Sequence, residues 1–181
     1  MRKICSIDLD DILNYYPACW VDFINRETGL NFKNKAEAIK ALSPEKYHSL
    51  KDRYRKSEFK ANLPIRESAL DLVECLRGRG YFIVVVTSRP FENYPQLADV
   101  TAKWLAKNNI PYDMLVGKSD LLSGKLLYFD FHVDDEMEDA NLIAEVAHSA
   151  FLFDTQSSVE PKQHSIIRIK DVREVLSYLD K

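Results

Sequence analysis

Asp8, Asp10 and Asp11 put three carboxylates into four positions directly behind the apolar run "KICSI". A second acidic pair, Asp134 and Asp135, follows "FDFHV". Between them in the chain, Thr87 and Ser88 close "YFIVVV", and Lys118 follows "YDMLVG". Carboxylates gathered at low dielectric repel one another strongly. Protons or a divalent cation relieve that repulsion, and an all-oxygen donor set suits Mg²⁺. A cation, a lysine and hydroxyl or amide donors together suit a phosphoryl group, whose phosphorus a carboxylate can attack to form an aspartyl phosphate.

These residues can meet only if the elements behind them bring them together. "KICSID" (3–8), "YFIVVVTS" (81–88), "YDMLVG" (112–117), "FDFHVDD" (129–135), "SAFLFDT" (149–155) and "HSIIRI" (164–169) read as strands. The second shows almost no alternation, the pattern of a strand covered on both faces. Helical spacing marks 66–80, 95–109, 136–148 and 171–181, with Gly, Pro and Asn at their ends. Strands alternating with helices predict a Rossmann-like α/β fold: a parallel sheet flanked by helices. In such a sheet ligands bind beyond the carboxyl ends of the strands, where the residues above all fall. Extended geometry continued past Asp8 would turn Asp8 and Asp10 to the same side.

Residues 17–62 break the alternation with helix signals alone. Pro17 opens a helix that ends at Gly29, and Ser43-Pro44-Glu45 starts another. We therefore expect a core of residues 1–16 and 63–181, with a small helical cap, 17–62, inserted after the first strand. "KDRYRKSEFK" (51–60) within it carries six basic residues against two acids, and its simplest reading is a solvated helix face.

In order, "ICSIDLDDIL", "IVVVTSR" and "FHVDDEMED" resemble motifs I, II and IV of the haloacid dehalogenase (HAD) superfamily. Ile12 departs from the Thr or Val usual in motif I. The resemblance implies Asp8 as nucleophile and metal ligand. It implies Asp10 as the acid and base that protonates the leaving oxygen and then activates water, with its main-chain carbonyl on the metal. Thr87 and the Ser88 amide would hold phosphoryl oxygens. Asp134 and Asp135 would complete a Mg²⁺ shell, directly or through water. Lys118 is the favoured motif III lysine, with Lys125 as the alternative. Within the superfamily, "DLDDIL", "TSRP", "FHVDDE" and "FLFDT" look most like the 5′(3′)-deoxyribonucleotidase-like group. This implies a phosphatase of nucleoside monophosphates, with Tyr16 and Trp20 in the cap as candidate substrate contacts. A polynucleotide 3′-phosphatase, a sugar- or metabolite phosphatase, and a binding domain without turnover are the rivals.

Bland readings stand beside these. Asp11 suits a turn or a helix cap. One of Asp134 and Asp135 can cap the next helix, Asp139 can be a helix-face acid or a partner of the site, and Asp154 a turn residue. Trp20 and Phe23 have a helix-face spacing that suits packing. His132, inside a strand, suits a satisfied core histidine, and the four histidines lack ligand spacing for zinc. The net charge of −3 provides no global field for nucleic acid. Three scattered cysteines and acids near the N-terminus predict a soluble cytoplasmic protein without a disulfide framework. Apolar runs are too short to span a membrane. No dinucleotide or P-loop glycine motif is present. The implied partner is a small phosphorylated metabolite, with a nucleotide first.

Overall fold

The computed structural model describes residues 3–124, 127–153 and 166–180. Lys125 and Asp154 lie outside the described residues, as do the expected strand ends at 154–155 and 164–165.

Six parallel strands form one sheet: β1 (Ile4–Asp8), β2 (Phe82–Thr87), β3 (Met114–Gly117), β4 (Phe129–Asp134), β5 (Ala147–Phe153) and β6 (Ile166–Ile169). Their spatial order is β3-β2-β1-β4-β5-β6, so the chain builds outward from β1 in one direction and then in the other. The crevice between β1 and β4 is the point where that order reverses, the usual ligand position in such sheets. The Ile7–Val133 register brings the ends of these two strands side by side, which places Asp8 next to Asp134. Burial on both faces explains the unbroken apolar run of β2: Ile83 and Val85 join one core cluster, Val84 and Val86 another.

Helices α4 (Glu67–Gly78), α5 (Gln96–Lys107), α6 (Lys118–Gly124), α7 (Met137–Ile143) and α8 (Glu174–Leu179) connect and cover the strands. Gly80, at φ 79°, takes the left-handed turn between α4 and β2. The helix expected over 136–148 is shorter. It passes into a 3₁₀ turn at Ala144–Val146, and Ala147 and His148 already belong to β5. Sheet pairing of Ala147 with Phe129 outweighs a helical spacing that itself remains favourable there.

Between β1 and β2 lie α1 (Tyr16–Thr28), α2 (Lys35–Ala41), α3 (Pro44–Lys56) and a 3₁₀ turn, Glu58–Asn62. Local sequence accounts for their limits. Gly29 ends α1 at φ 70° and donates its N–H to the Asn25 carbonyl; the Asn34 and Ser43 side chains accept N–H bonds from Glu37 and Lys46. The inserted helices carry a small core of their own, Trp20, Phe23, Ile24, Ala38, Leu50 and Tyr54, separate from the core under the sheet. Among the described residues no helix is long and apolar enough to cross a membrane.

Candidate active site

β1 ends at Asp8, and the chain then bends at Leu9, whose N–H still reaches the Val86 carbonyl. A turn through Asp11, with left-handed backbone at φ 69°, follows. Asp11 therefore shapes a turn and does not cap a helix, since α1 begins only at Tyr16. Its carbonyl and carboxylate both accept hydrogen bonds from Arg66, at 3.0 Å each. The extended path that would have aligned Asp8 with Asp10 is not followed. Both still line one cleft of about 380 Å³ together with Thr87, Ser88, Lys118, Asp135 and Tyr16.

The floor of this cleft is acidic. The buried Lys118 ammonium lies 2.8 Å from Asp8 Oδ1, 2.9 Å from Asp134 Oδ2 and 2.6 Å from Asp139 Oδ2. One carboxylate oxygen from each of Asp8, Asp134 and Asp135 falls within 4.8 Å of the others. One ammonium thus faces more carboxylates than it can neutralise. Burial, with the Asp134 charge next, pushes the Asp8 carboxyl well up; burial and Asp134 likewise raise Asp135 to about 8. Asp134 is held ionised against burial chiefly by His132, whose Nε2 lies 2.8 Å from its Oδ2 while Nδ1 bonds the Ser6 hydroxyl. His132 is thus a satisfied core histidine. The remaining Asp134 oxygen accepts the Glu136 N–H at 3.0 Å, just ahead of α7.

This donor set fits a divalent cation. Its oxygens are hard and converge from two adjacent strand ends, and the neighbouring negative charge that adds to burial in raising Asp8 and Asp135 is what a cation offsets. Asp10 contributes no side-chain oxygen to that group. Its carboxylate turns away to Arg89 (Nη2 at 2.6 Å, Nε at 3.1 Å), Lys60 (2.8 Å) and Asn14 (3.1 Å). Burial alone would raise Asp10; the Arg89 guanidinium and then the Lys60 ammonium reverse this and hold it far below the usual carboxylate range. Asp8 and Asp10, two positions apart in sequence, are therefore pushed in opposite directions.

The Thr87 hydroxyl is buried at the end of β2 and accepts the Arg89 N–H at 3.2 Å, while Ser88 is exposed at the cleft. Asp139 serves as a partner of the site, taking Lys118 and the Ser88 hydroxyl (3.4 Å). Lys118, the favoured motif III lysine, stands at the carboxylates.

Two expectations need correction. Trp20 is 0% exposed, donates its indole N–H to the Tyr47 hydroxyl at 3.1 Å, and stacks on Phe23 within the inserted core. It does not line the cleft, so packing explains it; Tyr16 does line it. "KDRYRKSEFK" is not one solvated face. Arg53 and Lys56 are exposed, but Lys51 and Arg55, one turn apart on α3, line the cleft, and Lys60 is only 4% exposed. The roles of Lys60 and Arg89 were missed. Arg89 directly follows the Thr87-Ser88 pair, where a cation beside a buried acid is a readable signal; the reach of Lys60 to Asp10 depends on tertiary folding.

Comparison with solved structures gives the fold. A predicted phosphatase from Clostridium acetobutylicum matches over 100% of both chains, at 15% identity and a TM-score of 0.67. A candidate haloacid dehalogenase-like hydrolase from Bacteroides fragilis matches over 97% of this chain and 100% of its own, at 17% identity and a TM-score of 0.62. The chain has the HAD fold. A D,D-heptose 1,7-bisphosphate phosphatase from B. bronchiseptica, solved with magnesium and phosphate, shares this fold at 12% identity over 98% and 97% of the two chains, with a TM-score of 0.55. No family model and no curated protein sequence matches the chain. The order of motifs along the chain and the observed sheet thus agree on the HAD architecture.

Proposed function

We propose that this HAD-fold protein is a Mg²⁺-dependent phosphomonoesterase that works through an aspartyl phosphate on Asp8. The observation that carries this reading is the convergence of Asp8, Asp134, Asp135 and Lys118 at the β1/β4 crevice. Asp8, Asp134 and Asp135 would hold the ion, with the Asp10 carbonyl. When bound, the ion neutralises phosphoryl oxygens and keeps Asp8 ionised. Asp8 attacks phosphorus, and the ester oxygen leaves; water then attacks the phosphorus of the aspartyl phosphate and frees Asp8 and phosphate. Thr87 and the Ser88 amide orient phosphoryl oxygens, and Lys118 offsets their charge. Asp10, held ionised, suits the proton-accepting half of its role and activates water. The donating half requires the Arg89–Lys60 clamp to open first.

Residues 17–62 act as a cap that closes over the cleft, joined to the core through the Lys60–Asp10 pair. A small phosphomonoester is the substrate, with a nucleoside monophosphate as the first candidate because the Tyr16 ring lines the cleft, where the Lys60 ammonium lies 3.8 Å from its centre. The free thiols of Cys5, Cys19 and Cys75 suit a reducing cytoplasm. The test is a phosphatase screen with and without Mg²⁺ on nucleoside monophosphates, sugar phosphates and 3′-phosphorylated oligonucleotides, with wild type and Asp8→Asn side by side. Hydrolysis that survives Asp8→Asn overturns the mechanism, and hydrolysis that survives complete chelation overturns the metal assignment.

A further inference from the structure

Every charged residue that the inserted helices contribute to the cleft is a cation: Lys35, Lys51, Arg55 and Lys60. Two of these are already committed. Lys60 pairs with Asp10, and Lys35 lies 3.7 Å from Glu136. Lys51 and Arg55 form no ion pair among the described residues. The Lys51 ammonium stands over aromatic faces instead, 5.8 Å from the Tyr16 and Tyr47 ring centres and 5.9 Å from that of Trp20. Arg55 lies against Tyr94, 5.1 Å from its ring centre. Burial, then repulsion from Lys35 and Arg55, lowers the Lys51 ammonium to about 8, with the Asp10 charge as the smallest, opposing influence.

Between these two cations in sequence, and on the same cleft, is Tyr54. It is fully buried, and its hydroxyl has no hydrogen-bond partner among the described residues. Buried hydroxyls are nearly always partnered, and this one shares the cleft with Lys51 and Arg55, two cations without an ion pair among the described residues. The acidic floor already has its own use for a first phosphoryl group, through the cation site, Thr87 and Lys118.

We propose that the substrate carries a second phosphoryl group, bound away from the reacting one by Lys51, Arg55 and the Tyr54 hydroxyl. The inference rests on the phosphomonoesterase reading and replaces a monophosphate by a small bisphosphate, a nucleoside bisphosphate among them, as the preferred substrate. A cleft of about 380 Å³ holds a metabolite rather than a length of polymer. Charge-assisted bonds from an ammonium and a guanidinium give the second dianion its affinity, and the aromatic surroundings keep both cations from competing water.

The experiment uses matched pairs: fructose 1,6-bisphosphate against fructose 6-phosphate, and adenosine 3′,5′-bisphosphate against adenosine 5′-monophosphate. In at least one pair the bisphosphate should show a kcat/KM about tenfold or more above its monophosphate. That ratio should fall towards one in Lys51→Gln and in Arg55→Gln, fall less in Tyr54→Phe, and be rescued in Lys51→Arg. Calorimetric titration of Asp8→Asn with the same four compounds reads the preference without turnover. Absence of all hydrolysis alongside a calorimetric preference for a bisphosphate overturns the phosphomonoesterase reading alone. Equal treatment of both pairs, or a preference unmoved by Lys51→Gln, overturns this proposal. So does a 3′-phosphorylated oligonucleotide that is hydrolysed faster than either bisphosphate.

Discussion

The floor and the wall of the cleft are opposite in charge. On the floor, by the carboxyl ends of β1 and β4, Asp8, Asp134 and Asp139 pair with Lys118, and Asp135 adjoins Asp8 and Asp134. On the wall, built by the inserted helices, cations outnumber their counter-charges. Burial acts alike on both and disfavours charge, so Asp8 and Asp135 are pushed up and Lys51 is pushed down. Each region lacks what a metal–phosphate ester supplies: the floor a cation, the wall anions. Where the two regions meet, two cations face a single carboxylate. There Asp10 is neutralised by Arg89 from the core and Lys60 from the insertion. The two regions are thus tied together at the seam through Asp10.

The largest test of the contrast removes Lys118 from the floor. Lys118→Met should lower kcat on the order of 10²–10³-fold. It should also reduce stability by about 3–5 kcal/mol, because Asp8 and Asp134 are left buried without that counter-charge. Initial rates and denaturant unfolding read the two effects. Complete chelation should likewise abolish hydrolysis and Mg²⁺ restore it.

The seam comes next. Arg89→Met removes the bidentate partner of Asp10 and should cost about 10- to 100-fold in kcat/KM through lost positioning. With Lys60 as its remaining cationic partner, the Asp10 carboxyl should also titrate higher, moving the acid limb of the pH–rate profile upward.

A subtler measurement concerns the metal-free floor. Asp135 in the folded chain holds its proton between its ordinary 3.8 and about 8, where the unfolded chain has released it. Its contribution to stability is therefore full below that window and is lost as pH rises through it. Thermal unfolding in chelator should show this decline, and Mg²⁺ should flatten it; a metal-free stability unchanged from pH 5 to 8 would count against the crowded-carboxylate description.

The smallest effects belong outside both surfaces. Trp20→Phe should cost roughly 1–3 kcal/mol of stability through lost packing and its Tyr47 hydrogen bond, with kcat/KM changed less than about threefold. Arg53→Ala, at an exposed ion pair with Glu27, should stay within about 1 kcal/mol of wild type.

How much of this was legible in the sequence follows the range of the interactions involved. All six strands were readable: β2 is apolar up to Thr87, and the others are short, largely apolar runs, several of them ending at acids, hydroxyls or a lysine. The parallel sheet then followed from the alternation with helices, whereas the strand order that sets the crevice between β1 and β4 comes from the observed pairing. The floor residues were readable for the same reason: Asp8, Thr87, Lys118 and Asp134 each sit at a strand end or immediately after it. The wall was not. Nothing in "KDRYRKSEFK" distinguishes Lys51, Arg55 and Lys60 from Arg53 and Lys56 until α3 has docked on α1 and one face of it is turned inward. The direction of the Asp10 side chain was likewise lost, since the bend at Leu9 and the left-handed backbone of Asp11 break the strand's alternation one residue after Asp8.

The central claim is that Asp8 becomes covalently phosphorylated during turnover. Acid-quenched reactions with Mg²⁺ and a hydrolysed phosphomonoester, followed by peptide mass spectrometry, test it directly. The account predicts a phosphoryl adduct on Asp8 in the wild-type protein. It also predicts neither adduct nor hydrolysis in a folded Asp8→Asn variant. Hydrolysis that continues in Asp8→Asn, or an adduct on another residue, would contradict it.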